Sequence, residues 1–404
     1  MDTSISKKRV FFAIHYMEIG GAERSLLGLL DSFDTDRYDV DLFIYQHTGE
    51  FMSFISEKIN LLPESRKYST IERPILEILR EGFLDIAIAR LIAKFRAKRY
   101  IQKNSLKDSS STFQYISNHT TPLLPPINKH VLYDMAISFV PPHNIVRDKV
   151  KAKKKIAWIH TDYSSIEINS TLEFPVWDSF DHIVAISKSA ELSFIERFPA
   201  LSDKTVVFEN ILSPLFVREQ AELEGINSEM PDDDGVIKLL SIGRYSEAKN
   251  FENVPYMCRD IVRSGINVKW YIIGYGGGVE EINKSIGDTA MEGKVILLGK
   301  KSNPYPYMKA CDIYIQPSRY EGKAVTVREA QMLFKPVAIT RFPTADSQLK
   351  DTVDGVIVPM DNEGAAKGII ELIKNKELQT RLIKNMKTLD FGNEAEINKL
   401  YDLI

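Results

Sequence analysis

Two cysteines in 404 residues are too few for a disulfide framework. Cys258 and Cys311 each lie among apolar residues in a predicted helix or strand, which reads as two core thiols in a reducing compartment. Long apolar runs are missing as well, and none approaches the ~18 residues that a membrane span needs. The opening residues run from Met1 through Lys7-Lys8-Arg9 into a strand without the apolar core of a secretory signal. The expected location is therefore cytoplasmic, and the glycosylation patterns at Asn118, Asn169 and Asn283 carry no meaning without export. A formal net charge of −3 gives no reason to expect bulk nucleic-acid binding. The Gly-x-Gly-x-x-Gly spacing is absent, which removes the dinucleotide fingerprint. No Asp-x-Asp stands at a strand's carboxyl end, where it would hold a divalent metal beside a ligand. Asp34-Thr35-Asp36 precedes a strand, and Asp232 to Asp234 reads as part of a solvated linker.

What is present is an ordinary globular composition, 44% hydrophobic and 26% charged, in a chain too long for one core. Short apolar runs alternate with helical patterns. Arg9 to His15, Tyr38 to Tyr45, Met135 to Phe139, Lys155 to His160, Asp181 to Ser187 and Lys204 to Asn210 read as strands. The polar, acidic stretch 213–235 reads as a linker. The alternation then restarts with Val236 to Ile242, Val268 to Ile273, Val295 to Gly299, Asp312 to Gln316, Pro336 to Thr340 and Gly355 to Val358. Two consecutive βα halves predict an α/β fold of two doubly wound domains facing each other across a cleft. The boundaries are 1–212 and 236–389, with residues 390–404 as a helix that returns to the first domain.

Residues 51–125 are less regular. Leu84 to Lys103 predicts a basic amphipathic helix with an apolar stripe of Ile88, Leu91, Ile92 and Phe95. Arg90, Lys94 and Lys98 are then candidates for peripheral contact with an anionic membrane at its inner face. A helix packed on its own domain with a solvated basic face is the plainer account. Ser105 to Pro126 is rich in Ser, Thr, Asn and Pro and reads as a loop.

Candidate site residues fall on loops after strands. Gly20-Gly21 separates the first strand from a helix, where a backbone can approach a ligand closely, although a plain tight turn fits equally well. His160 ends a strand two residues before Asp162. In the second half, Gly243 and Arg244 with Lys249 form a loop whose two cations suit a diphosphate. Gly274 to Gly278 is a glycine-rich turn that admits a flat base or a phosphate. Ser318 to Ala330 contains Glu321 and Glu329 with seven residues between them, and a helix leaves the segment just after Gly322. Free amides at that helix start suit an anion, and the spaced carboxylates suit hydroxyls along an elongated ligand. Taken alone, the two glutamates fit a solvated loop and an ordinary surface helix. Taken with the cations and the glycine-rich turn, they describe a nucleotide-sugar site.

At these residues the chain resembles the GT-B-fold, family-4 retaining glycosyltransferases of the bacterial surface-polysaccharide type. The resemblance is strongest over 236–360. It rests on Gly243-Arg244 with Lys249, Gly274, the Glu321-x7-Glu329 spacing, Lys335-Pro336-Val337 and Asp354 to Pro359. Gly20 to Glu23 and His160 match its N-terminal landmarks.

The resemblance implies that Arg244 and Lys249 hold the donor diphosphate and stabilise its departure. It implies that Glu329 binds the ribose, Glu321 meets the transferred sugar, and Gly322, Lys323, Ala324 and Val325 present backbone near the phosphates or sugar. Gly243 and Gly274 would line the donor site, His160 would sit by the sugar, and Gly21 would let the first domain approach the donor. It also implies metal-independent transfer, no cofactor, a UDP-sugar in preference to a GDP-sugar, and a glycan or lipid-linked acceptor.

Lys323-Ala324 stands where relatives carry aromatic or glycine residues, Phe334 replaces a small glycine, and Phe342 to Gln348 replaces a Gly-Gly loop. These departures leave the sugar open. A nucleotide-sugar epimerase, which needs no acceptor, and a non-catalytic nucleotide-sugar-binding subunit are the competing readings.

Overall fold

A computed structural model describes residues 7–18, 20–106, 110–161, 163–164, 166–223, 225–226, 228–321 and 324–404. It divides into two compact units, Met1–Ile211 with Glu394–Ile404, and Leu212–Asn393. The first unit holds β1 (Lys8–Ile14), β2 (Tyr38–Ile44), β3 (Asn60–Leu61), β4 (Tyr133–Ser138), β5 (Ala152–Ile159), β6 (His182–Ala185) and β7 (Thr205–Val207). The second holds β8 (Ile237–Ile242), β9 (Val268–Ile273), β10 (Val295–Gly299), β11 (Ile313–Gln316), β12 (Val337–Thr340) and β13 (Val356–Val358).

Both sheets are parallel and share one logic. Among the described residues the strand orders are β3-β2-β1-β4-β5-β6-β7 and β10-β9-β8-β11-β12-β13. Each unit's first strand therefore sits centrally, and the order reverses beside it, at β1/β4 and β8/β11. Ligands of such sheets bind outside the carboxyl ends of the strands at that reversal. A recess of about 550 Å³ on the first unit lies instead at the amino ends of β1 and β2, beside Lys7, Arg9, Tyr38 and Asp39. That is the wrong end of the sheet for this kind of site.

The apolar runs are continuous because helices cover both faces of each sheet. Successive side chains of a strand point to opposite faces. In the second unit Leu239, Trp270, Ile313 and Ile315 join one core, and their neighbours Leu240, Tyr271 and Tyr314 join the other. Cys258 and Cys311 are free and buried, and burial pushes both thiols up to about 12. They behave as small apolar residues.

Tertiary packing redraws three stretches. First, 213–235 is not a free linker. Ser213 caps the helix Pro214–Gln220, Phe216 meets Tyr305 edge-on, and Ile226 and Met230 enter the second unit's core. Lys238 and Lys269 pair with Asp232 and Asp233, which anchors the acidic run. Second, Ser110–Thr120 is a helix, although its composition reads as a loop. Ile116 is buried in the core with Phe113 packed against it, while Ser117 and Thr120 turn their hydroxyls onto carbonyls of the preceding turn. Third, Arg90 does not belong to the basic face of the helix Leu84–Asn104. It is 4% exposed, and its guanidinium donates to the carbonyls of Thr70 and Arg73.

The C-terminal helix Ile397–Leu403 belongs to the first unit, far along the chain from its neighbours there. Tyr401 stacks on Tyr38 at 4.5 Å, and its hydroxyl accepts from the Asp34 amide.

Candidate active site

The reversal in the second sheet places the loops after β8 and β11 side by side. Arg319 donates its amide to the Ala248 carbonyl, and Asn250 donates its side-chain amide to the Pro317 carbonyl. Lys249 Nζ lies 2.5 Å from Glu321 Oε1, a pair 72 residues apart in sequence. The same oxygen accepts from Ser318 Oγ at 2.6 Å and Gln316 Nε2 at 3.1 Å. Gln316 is itself held, since its Oε1 accepts from Tyr314 at 2.7 Å and Thr326 at 3.1 Å. Glu321 is thus a carboxylate with fixed donors on one oxygen, not a solvated loop residue. Arg244 stands on the same loop as Lys249, exposed, and makes no ion pair among the described residues. One cation of the loop is therefore neutralised within the unit and the other faces outward.

Glu329 has a different setting. It is the fifth residue of the helix Val325–Met332, fully buried, and accepts from the Tyr305 hydroxyl at 2.7 Å. Tyr305 comes from another helix and carried no sequence signal. Val325 opens the Glu329 helix. The Ala324 amide before it donates to Gln348 at 2.9 Å, so that amide is already engaged within the unit. Gly322 and Lys323 lie outside the described residues.

Glycines 243 and 274 are demanded by the fold. A Cβ on Gly274 would lie 1.9 Å from the Gly243 carbonyl oxygen and 2.8 Å from the Tyr245 ring. A Cβ on Gly243 would press on the Lys249 stem at 3.1 Å. The turns after β8 and β9 therefore touch backbone to backbone, and the glycine pair lets the Lys249 stem cross above them.

The first unit's strand ends are built from aromatics and histidines. His160 follows β5 with its ring 4.6 Å from Phe139, and its Nε2 is buried with no hydrogen-bond partner among the described residues. Burial lowers its pKa to about 4. His15, after β1, packs on Tyr16, Tyr45 and Phe113, and burial lowers it to about 4 as well. Its Nε2 stands 3.6 Å from the half-exposed Glu72 carboxylate. Gly21 is the first residue of the helix Gly21–Asp31, and nothing described lies within 4 Å of a Cβ built on it. Its lack of a side chain is thus not required by the unit's own packing. Asp162, the expected companion of His160, is outside the described residues.

Sequence reasoning missed four members of these networks. Gln316 and Ser318 hold Glu321, Tyr305 holds Glu329, and in the first unit Glu173 accepts from Trp177 at 3.0 Å and Tyr163 at 3.3 Å. Burial raises Glu173 to about 7. The usable signal for Gln316 was a polar residue closing an apolar strand. Tyr305 had none.

The family model for glycosyl transferases group 1 matches residues 227–389, which contain all the second-unit site residues above. A Campylobacter jejuni enzyme, N-acetylgalactosamine-N,N'-diacetylbacillosaminyl-diphospho-undecaprenol 4-alpha-N-acetylgalactosaminyltransferase, is 24% identical over 58% of this chain and 61% of its own length. The matched stretch is thus less than two thirds of that relative. Among solved structures, Staphylococcus aureus TarM, as a variant with fondaparinux, alpha-GlcNAc-glycerol and UDP, superposes with a TM-score of 0.61 at 14% identity, covering 98% of this chain and 99% of that one. HepE of Anabaena, with UDP and glucose, gives a TM-score of 0.57 at 16% identity, covering 94% and 93%. Both likenesses concern the fold. Residues 227–389 match the group 1 glycosyl transferases, in a chain whose two Rossmann-like units are those of the GT-B fold.

Proposed function

We propose that this chain is a glycosyltransferase that moves a sugar from a nucleoside-diphosphate donor to a glycan or lipid-linked acceptor in polysaccharide or glycolipid assembly. The observation that carries the reading is the Lys249–Glu321 contact beside the exposed Arg244, at the reversal of the second sheet. A diphosphate there meets Arg244 directly and competes with Glu321 for Lys249. Glu321, released from Lys249 but still held by Ser318 and Gln316, accepts from hydroxyls of the sugar. Glu329 accepts from the ribose, with Tyr305 fixing its orientation. Gly243 and Gly274 serve the donor by letting the turns after β8 and β9 close on each other and carry the Lys249 stem above them. Ala324 and Val325 border the phosphates. Gly21 and His160 are the first unit's candidates for contact with the donor.

The reaction is retaining. The bond between the anomeric carbon and the phosphate oxygen breaks, the acceptor oxygen bonds to the same face, and the acceptor's proton passes to the departing diphosphate. Arg244 and Lys249 stabilise the charge that grows on that leaving group, the task of preorganised donors. Neither a metal nor a cofactor is required, and activity in the presence of a chelator tests this. A UDP-sugar is the favoured donor. The match to a transferase whose acceptor name includes diphospho-undecaprenol supports a lipid-linked acceptor, and the UDP in the TarM and HepE structures supports the base.

The deciding experiment is a thermal-shift screen of UDP- and GDP-sugars, followed by transfer assays with the donor found. A ligand that binds only the folded chain stabilises it by about 2.7 kcal/mol at 100 times its Kd. A UDP-sugar that shifts the native chain but not Arg244→Ala supports the reading. No shift by any nucleotide-sugar overturns it, and turnover of the donor without an acceptor overturns the transfer step.

A further inference from the structure

The helix Leu84–Asn104 carries apolar residues on both of its sides. Its inner side, Ile86, Ala87, Ala93 and Ala97, is buried, and Arg90 ties it to the carbonyls of Thr70 and Arg73. The helix Ser110–Thr120 packs alongside. Its outer side exposes Leu84 (59%), Ile88 (57%), Leu91 (54%), Ile92 (44%) and Phe95 (59%). At 3.6 residues per turn these five fall within an arc of about 100°. Arg90 and the alanines occupy the opposite arc. The outward ridge of a 21-residue surface helix is thus apolar where a solvated helix is polar.

Cations flank the ridge. Lys94 and Lys98 lie along one edge, and Arg96, Arg99 and Lys103 along the other, all exposed. The helix's one acid, Asp85, is paired with Lys67 at 2.8 Å. Leu76, on the adjacent helix Ile75–Arg80, is 70% exposed and adds another apolar side chain at the surface. Long basic side chains beside an apolar ridge reach for headgroups while the ridge enters the acyl boundary. A second copy of this chain is a poor occupant, because pairing the ridges would set five cations against five. No helix among the described residues is long and apolar enough to cross a membrane, so any seating by this helix lies along the surface.

We propose that the outer face of Leu84–Asn104 docks in the headgroup boundary of an anionic lipid bilayer. The seating is built from Ile88, Leu91, Ile92 and Phe95, with Lys94, Lys98, Arg96 and Arg99 reading the lipid charge. Arg90 takes no part beyond fixing which side of the helix faces out. The proposal stands apart from the transfer reaction, since it needs only the geometry of the first unit.

Vesicle flotation of the full chain tests it, with phosphatidylcholine vesicles against vesicles containing one third phosphatidylglycerol. The chain is expected to float with the anionic vesicles alone and to release as salt rises. Lys94→Gln with Lys98→Gln and Arg99→Gln should weaken binding about 100-fold, at roughly fivefold per cation. Ile88→Asp with Phe95→Asp should abolish flotation while leaving the melting temperature and nucleotide-sugar binding unchanged, because both side chains are exposed. Flotation unaffected by the double aspartate variant overturns the proposal. So does equal flotation with neutral vesicles, or a concentration-dependent dimer that the same variant breaks.

Discussion

The two units solve the same topological problem with opposite chemistry. Each has a parallel sheet whose order reverses beside its first strand, and each sets candidate residues on loops at the carboxyl ends of its strands. In the second unit those loops and the helix Val325–Met332 carry charge, and apart from the outward-facing Arg244 the charges are held by neighbours: Lys249 on Glu321, Ser318 and Gln316 behind it, Tyr305 on Glu329. In the first unit the loops carry histidines packed on aromatic rings, and burial keeps both His15 and His160 neutral near pH 7. The sheet decides where a site stands. The side chains at the strand ends decide whether it offers charge or buried neutral rings.

The sharpest way to break this contrast is Arg244→Ala. An exposed cation with no ion pair among the described residues contributes little to folding. Its loss should nevertheless lower kcat about 10²- to 10³-fold in transfer assays, the cost of one lost donor to a developing oxyanion. Unchanged kcat would move the anion site elsewhere.

Gly274→Ala and Gly21→Ala compare the units directly. The first places a methyl group against the Gly243 carbonyl and should destabilise the chain by about 3 kcal/mol in urea unfolding. The second meets nothing described and should alter stability by less than about 0.5 kcal/mol, while a ligand that approaches that backbone would lose affinity. Equal effects on stability would erase the distinction between a glycine kept for packing and one kept for a ligand.

Glu329→Gln tests the ribose assignment. The Tyr305 partner remains, so folding should hold, and the donor KM should rise about 10- to 30-fold as a charged acceptor becomes neutral, worth roughly 2 kcal/mol. A fall in kcat with KM unchanged would argue against a binding role.

The smallest effects concern pH. His160 is lowered by burial from 6.5 to about 4, so its contribution to stability is present above about pH 6.5 and lost as pH falls through 4. Glu173 is raised by burial from 4.5 to about 7, so its contribution is full below pH 4.5 and lost as pH rises through 7. In unfolding titrations, His160→Gln should remove slope on the acid side and Glu173→Gln on the neutral side. Identical profiles for both variants would show that neither burial is felt in the folding equilibrium.

Much of the fold was legible because apolar runs covered on both faces leave a plain mark in sequence. Much of the candidate site was nameable for a related reason: Arg244, Lys249, Glu321 and Glu329 keep fixed spacings on loops that follow those runs. Composition failed where contacts outvoted it. Ser110–Thr120 has the residues of a loop but is helical, with Ile116 buried and its hydroxyls turned onto its own carbonyls. The stretch 213–235 is polar enough for a linker but is nailed to the second unit by Phe216, Ile226 and Met230.

The sequence by itself determined two parallel α/β units and the chemical identity of the cations and carboxylates, because strand patterning and residue type are local properties. Only the tertiary structure decided which of these groups meet. Lys249 and Glu321 are 72 residues apart and become partners because β8 and β11 are neighbours in the sheet. Arg90 turns inward and Phe95 outward on the same helix, since one buried guanidinium finds two carbonyl acceptors and that fixes the rotation of all the rest.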